Sequence, residues 1–320
     1  MRILITAAGL IGCYTGRALL ERGDEIAFFD IAPQDSYIRG VTQVEPKVYR
    51  GDVRDLPAVI ETMKDFKPAA VIHTAGLIGN VAQANPYRGF QTNVVGCMNM
   101  AEAVRLMDIK RLVYASTHGV HDLSQPQRAP LTEDFPVGGP GTIYSNSKVA
   151  CEQVLKAYAA SYGTELAILR PPGVFGYGHF AGGSGVGRTL CDMLLAAQAG
   201  KHAPIGGGVP DPYELVYVKD VAQLVAAAAH APQLKHDTFN VGTGVLTNTE
   251  TLTQALQQVF PGATAGRVTP PRPDRYPRNQ PLDLTRSKAE LGYKPQFDLV
   301  AGMRDLLVEM RRLGVAMAAK

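Results

Sequence analysis

Met1-Arg-Ile-Leu-Ile-Thr6 is followed by Ala7-Ala-Gly9-Leu-Ile-Gly12, by Cys13 to Arg22, and then by Asp24-Glu-Ile-Ala-Phe-Phe-Asp30. The first run reads as a short buried strand, the second as a glycine turn and the third as a helix ending near Gly23. The fourth reads as another apolar strand, finishing on a carboxylate. This is the layout of a dinucleotide-binding βαβ unit. Gly9 and Gly12 let the backbone approach a pyrophosphate at a helix N-terminus, where free N–H groups and the helix dipole favour anions. Gly9, Leu10, Ile11 and Gly12 are therefore candidate cofactor contacts. Asp30, 18 residues beyond Gly12, lies near where a carboxylate accepts from adenosine ribose hydroxyls and repels a 2′-phosphate, so NAD is expected rather than NADP. The plainer reading is a packing turn with Asp30 as a surface acid.

Working outward, strands alternate with helices, which implies a parallel sheet. Val48 to Arg50 is a strand ending at Gly51-Asp52-Val53-Arg54-Asp55, and Leu56 to Phe66 is a helix. Ala69 to His73 is a strand ending in Thr74-Ala75-Gly76; Asn93 to Met107 is an amphipathic helix. The strand Arg111 to Ala115 leads into Ser116-Thr117-His118-Gly119, and Glu165 to Arg170 is a further strand. Ligands on such sheets bind at the carboxyl ends of the strands. Gly9, Asp30, Asp52, Ala75, Thr117 and Pro171 all follow strands there and are expected to line one edge.

Tyr144-Ser-Asn-Ser-Lys148 stands where a Pro- and Gly-rich loop runs into a helix, Val149 to Tyr162. On a helix, positions four apart share a face, so the phenol and the ammonium point the same way. A phenol titrates near pH ~10, and a fixed cation nearby favours phenolate and lowers that value. Such a tyrosine can exchange a proton with a carbinol oxygen. Alone, the pair also fits a half-buried Tyr beside a solvated Lys.

Composition bounds the rest. The 320 residues, 46% hydrophobic and 19% charged, describe a soluble globular chain with a substantial core. A net charge of +3, with Lys and Arg scattered, argues for neither nucleic acid nor an anionic membrane as partner. Cys13, Cys97, Cys151 and Cys191 form no CxxC pair, which disfavours a disulfide framework and a metal site. The chain starts on an apolar strand without a signal sequence, and no stretch reaches the length of a membrane span, so a cytoplasmic location is expected.

With these residues assembled, the chain resembles the extended short-chain dehydrogenase/reductase family of NAD-dependent sugar epimerases and dehydratases, almost end to end. Tyr144-x-x-Ser147-Lys148, Gly51 to Asp55 and Val71-Ile-His-Thr-Ala-Gly76 carry the resemblance. Asn93-Val-Val-Gly96, Val113 to Thr117, Leu169-Arg170-Pro171, Val216 to Ala222 and Phe239-Asn-Val-Gly-Thr-Gly244 add to it. The resemblance implies Tyr144 as general acid/base, Lys148 as the group that lowers its pKa and bonds the nicotinamide ribose, and Thr117 as the holder of the reacting oxygen. It places Asp52 and Val53 beside the adenine, and Thr74, Ala75 and Gly76 along the cofactor. Asn93 would lie next to the cofactor, and the backbone from Pro171 through Gly173 to Val174 would face the carboxamide. Thr117 could also cap a turn and Asn93 a helix.

Departures from the family bear on the substrate. The glycine turn is a residue short: either Thr6 takes the first glycine position or the loop has lost a residue. His118 and Gly119 stand where dehydratases carry an acidic pair, which disfavours elimination of water. Gly173 replaces an Asn usual in nucleotide-sugar epimerases, and Tyr213 stands roughly where those enzymes place an Arg on the diphosphate. Arg272 and Arg275 could supply an anion clamp. His118, His179, Tyr213 and Arg272, with Thr117, are the candidate substrate contacts.

The expected architecture is α/β: a doubly wound parallel sheet (Rossmann) with a smaller C-terminal α/β substrate lobe. Residues 1–172 and 215–242 would form the dinucleotide-binding domain; 173–214 and 243–320 would form the lobe. Within these, Gly176 to Gly187 reads as a mobile loop over the site. Leu215 to Val218, a helix from Asp220 to His230 and the strand Thr238 to Val241 read as a return to the main sheet. Helices Thr189 to Ala199, Thr249 to Phe260, Thr285 to Leu291 and Leu299 to Leu313 complete the lobe. The expected activity is NAD-dependent epimerisation of a sugar or sugar-like secondary alcohol by transient oxidation. The alternatives are a dehydrogenase of a non-nucleotide sugar, sugar acid or hydroxy acid, and a non-catalytic NAD sensor. A homodimer, paired through the helices Asn93–Met107 and Val149–Tyr162, is expected.

Overall fold

The computed structural model describes residues 1–178, 185–207, 209–270 and 280–315. Its strands are β1 (Arg2–Thr6), β2 (Glu25–Asp30), β3 (Lys47–Arg50), β4 (Ala70–His73), β5 (Arg111–Ala115) and β6 (Glu165–Arg170). There follow β7 (Gly173–Phe175), β8 (Ala203–Ile205), β9 (Tyr213–Tyr217), β10 (Thr238–Asn240), β11 (Leu246–Thr247) and β12 (Ala265–Arg267). The α-helices are α1 (Leu10–Leu20), α2 (Asp35–Thr42), α3 (Leu56–Phe66), α4 (Gly79–Ala84), α5 (Pro86–Phe90) and α6 (Gly96–Leu106). After them come α7 (Ile143–Tyr162), α8 (Gly185–Gln198), α9 (Val218–His230), α10 (Thr249–Val259), α11 (Thr285–Leu291) and α12 (Leu299–Arg312).

Seven strands form one parallel sheet in the order β10-β6-β5-β4-β1-β2-β3. The chain leaves β1 in one direction to β2 and β3 and returns to its other side at β4, so a crevice opens at the carboxyl ends of β1 and β4. The central strands have no polar face. Ile3, Leu4 and Ile5 are all essentially unexposed, as expected of a parallel sheet covered by helices on both sides.

One expected strand belongs elsewhere. Leu215 to Val218 does not return to the main sheet: β9 pairs in parallel with β7, through Gly173–Leu215 and Phe175–Tyr217, and antiparallel with β11. The edge beyond β6 is taken by β10, through Thr238–Ile168 and Asn240–Arg170. The rest of that segment does return: α9 packs along α1, where His230 Nε2 lies 2.7 Å from Asp24 Oδ2. The expected helix from Asn93 is split, with a π-turn at Gln91–Val95 ahead of α6. The catalytic-motif helix starts earlier than expected, at Ile143, where the Thr142 hydroxyl accepts from the Ser145 N–H at 3.1 Å. Such a cap contributes about 1 kcal/mol. Residues of both expected units, among them Ile5, Val216 and Met303, share one hydrophobic core.

Two buried carboxylates tie later segments of the chain to β9 and α9. Buried Glu214 accepts from the N–H groups of Thr243 (2.7 Å), Gly244 (2.8 Å) and Leu282 (2.9 Å). A Cβ on Gly242 would come within 2.0 Å of its Oε1, so the glycine there makes room for the carboxylate. Asp220 accepts from the N–H groups of Gln296 (2.8 Å) and Phe297 (3.1 Å).

Candidate active site

The turn after β1 settles the question of its length. Thr6 is the last residue of β1, so the turn itself is Ala7-Ala8-Gly9. Ala7 takes a left-handed conformation (φ 66°), which costs a non-glycine residue about 1–2 kcal/mol. Asp30, at the end of β2, ties the turn down. Its Oδ2 accepts from the Ala8 N–H and its Oδ1 from the Ala32 N–H, both at 2.7 Å. Gly12 must be glycine, because a Cβ there would lie 2.0 Å from the Ala7 carbonyl oxygen. No side chain caps the α1 N-terminus, where Gly9 is the N-cap residue. The first N–H groups of α1, from Leu10 and Ile11 onward, have no N-cap side chain. Close backbone approach, a helix N-terminus and a nearby carboxylate fit a dinucleotide.

Across the crevice, Thr74 donates to Thr6 O at 2.5 Å, and a Cβ on Gly12 would lie 3.3 Å from its Oγ1. One on Gly76 would lie 3.2 Å from Asn93 Oδ1 and 3.8 Å from Lys148 Nζ. The glycine turn, the end of β4 and Lys148 therefore meet. Val53 packs beneath Gly96, and Asp52, held by the Arg54 side chain at 2.8 Å, lines an open cleft of about 670 Å³ with Arg54, Gln91 and Val95. Asn93 has another role than the expected cofactor contact or helix cap. Its Nδ2 donates to Leu77 O (3.0 Å) and Ser147 Oγ (2.8 Å), and its Oδ1 accepts from the Leu77 N–H (2.8 Å). It clamps the loop after β4 to α7.

The Thr117 hydroxyl stands close to the Tyr144 phenol and favours its charged form. The Thr117 hydroxyl also accepts from the Gly119 N–H at 3.1 Å, so it caps the 3₁₀ turn and faces the phenol at once. Lys148, buried, donates to Ala115 O at 2.7 Å and lies 4.4 Å from the centre of the Tyr114 ring, 5.9 Å from that of Tyr144. The expected depression of Tyr144 by Lys148 is not met here. Burial pushes the phenol well above its ordinary value, Tyr213 adds to this, and the Thr117 hydroxyl opposes it. The ammonium is turned to Ala115 and Tyr114, and desolvation outweighs it. Burial also lowers Lys148, while Cys151, Cys97 and Glu152 pull it back.

His118 and Tyr213 come together beside this cluster, with ring centroids 5.3 Å apart. His179, Arg272 and Arg275, and half of the expected loop over the site, lie outside the described residues.

Local sequence did not reveal the support behind the cluster. Glu152, one turn beyond Lys148 on α7, takes Arg170 Nη2 at 2.6 Å and Nε at 3.0 Å, and accepts from Ser116 Oγ at 2.5 Å. Arg170 Nη1 donates to Glu133 O at 2.9 Å. An apolar strand ending in Arg before Pro171 was the one available signal.

Fold and cluster together define an enzyme of the extended short-chain dehydrogenase/reductase type. Residues 3–242 match the model of the NAD-dependent epimerase/dehydratase family, and the chain belongs to that family. It is 30% identical over 309 residues to a UDP-glucose 4-epimerase of Mycolicibacterium smegmatis, covering 95% of this chain and 96% of that one. It is likewise 30% identical over 317 residues to a putative UDP-glucose 4-epimerase of Methanocaldococcus jannaschii, covering 97% and 98%. The crystal structure of the Thermus thermophilus UDP-glucose 4-epimerase in complex with NAD superposes with a TM-score of 0.82 at 28% identity, over 97% of this chain and 99% of that one.

Proposed function

We propose that this protein is an NAD-dependent epimerase that inverts a secondary alcohol of a sugar by transient oxidation. The observation that carries the reading is Tyr144 with buried Lys148 5.9 Å from its ring and buried Thr117 close by, at the carboxyl edge of the sheet. The glycine turn, Asp30 and the Thr74–Gly76 segment would hold the dinucleotide. When bound, NAD supplies a hydride acceptor and, once reduced, the donor that returns the hydride.

Tyr144 takes the proton of the reacting hydroxyl as the carbon–hydrogen bond gives up its hydride. Thr117 holds that oxygen, and Lys148 places a positive charge behind the phenol. When the ketone presents its other face, Tyr144 would return the proton to the same oxygen, still held by Thr117. Burial opposes ionisation of Tyr144, and the positive charge of a bound oxidised cofactor and of Lys148 would favour the phenolate as substrate binds.

The relatives that are UDP-glucose 4-epimerases make UDP-glucose and UDP-galactose the first pair to test. Protein mixed with NAD and either sugar, followed by NMR and by absorbance in the NADH band, decides the matter. The other diastereomer with no net NADH is the expected result; continuing NADH growth on this or another sugar would replace the epimerase by a dehydrogenase. Turnover surviving in Tyr144→Phe would overturn the roles assigned here. A sensor would instead keep its NAD-linked output in that variant and turn over nothing.

A further inference from the structure

We infer that Tyr213, wedged between Gly173 and His118, is the platform on which the substrate's ring lies, and that the group taken there is a neutral, hydroxylated ring presenting its C–H face. This rests on the transient-oxidation reading above and adds a specificity-determining residue to it.

The wall is built from separate parts of the chain. A Cβ on Gly173 would come within 2.5 Å of Tyr213 Cε1 and 3.0 Å of Cδ1. Gly173 lies in an extended strand, β7, so glycine is there for space rather than for an unusual backbone conformation. On another side stands the His118 ring, inclined at 62° to Tyr213. His118 is itself fixed: its N–H donates to Pro171 O at 2.9 Å, and its ring Nδ1 faces the same oxygen at 3.3 Å. His118 directly follows Thr117, so the wall and the group facing Tyr144 share one turn. Tyr213 also opposes ionisation of Tyr144, which puts the two phenols in one neighbourhood.

Tyr213 is half-buried, so part of the residue stays exposed. An aromatic face carries negative charge density; it attracts C–H groups and does not attract carboxylate or phosphate. A pyranose ring offers alternating hydroxyl edges and C–H faces and suits such a wall. The same ring could arrive free or on a nucleoside diphosphate.

Calorimetric titration of NAD-loaded protein with D-galactose, UDP-galactose and UDP tests this and separates the two sources. At least one of the two sugar probes should bind, and Tyr213→Phe should keep its affinity within about threefold. Tyr213→Ala should weaken it about tenfold, and Gly173→Ala comparably, because the methyl group displaces the ring. The double variant should be no worse than Tyr213→Ala, since both changes remove one feature. UDP should bind all of them alike, whatever its affinity. Each variant is first checked for wild-type NAD affinity and thermal midpoint, and Tyr213→Leu replaces any that fails. Failure of both sugars to bind, unchanged affinity in Tyr213→Ala and Tyr213→Leu, or additive losses would overturn the platform. Loss of epimerisation or oxidation chemistry with sugar binding intact would instead strike the underlying reading.

Discussion

Glu152 and Arg170 are joined at 2.6 Å with their side chains only 1% and 2% exposed, directly behind Tyr144, Lys148 and Thr117. The pair links α7, which carries Lys148, to the end of β6, and through Ser116 to the turn that presents Thr117. Removing one partner leaves an uncompensated buried charge, at about 3–5 kcal/mol. Glu152→Ala and Arg170→Met should each lower the unfolding free energy by that much, read from the shift of the urea midpoint. The double variant should lose less than the sum, because it leaves no orphan charge. Additive losses in urea titration would show that the two side chains act independently.

On the proposed mechanism, Thr117 sets the working pH. Its hydroxyl is what opposes the burial of the Tyr144 phenol. A hydroxyl close to the charged form favours that form, so removing it raises the tyrosine further above its ordinary value. Tyr144 acts as a base in its deprotonated form, so Thr117→Val should move the rising limb of the rate-against-pH curve to higher pH. At neutral pH the rate should fall by about 10²-fold. A rate loss without any alkaline displacement would confine Thr117 to orienting the substrate.

Much of this site was legible in the sequence, because some requirements are local. The Tyr144–Lys148 spacing is a property of one helix, and the Gly9–Gly12 turn a property of one strand–helix junction. What escaped depends on distant partners. The apolar run of β9 looks the same whichever sheet it joins, and only its pairing with Gly173–Phe175 separates the two outcomes. Gly173 reads as a missing side chain until Tyr213, forty positions away, is seen to fill its place. Asn93 sits on a π-turn that helical periodicity cannot announce. The rise of the Tyr144 phenol comes first from burial, and sequence carries charge but not desolvation.

Gly12 separates cofactor binding from folding of the rest of the sheet. A methyl group there meets the Ala7 carbonyl oxygen at 2.0 Å, which forces the shortened turn to move. Gly12→Ala should weaken NAD binding by at least about tenfold, or 1.4 kcal/mol, in a fluorescence titration. The thermal midpoint without NAD should fall by much less than the stabilisation that saturating NAD gives to the wild type. Unchanged NAD affinity would move the dinucleotide away from this turn.

Val95, Met98 and Leu106 form an exposed apolar stripe on α6 and the turn before it, and Tyr162 at the end of α7 is 57% exposed. Side chains of this kind on two adjacent helices, α6 packing on α7, favour burial against a second copy related by a two-fold axis, where each residue serves twice. A single charged residue then enters the interface twice, so Met98→Lys with Leu106→Glu places four charges in it. Light scattering at micromolar concentration should show a dimer for the wild type and a monomer for this variant, with unchanged far-UV circular dichroism. Neither residue touches the cluster around Tyr144, so NAD affinity should hold. A wild-type protein that is already monomeric would leave the stripe as ordinary exposed surface and end the dimer proposal.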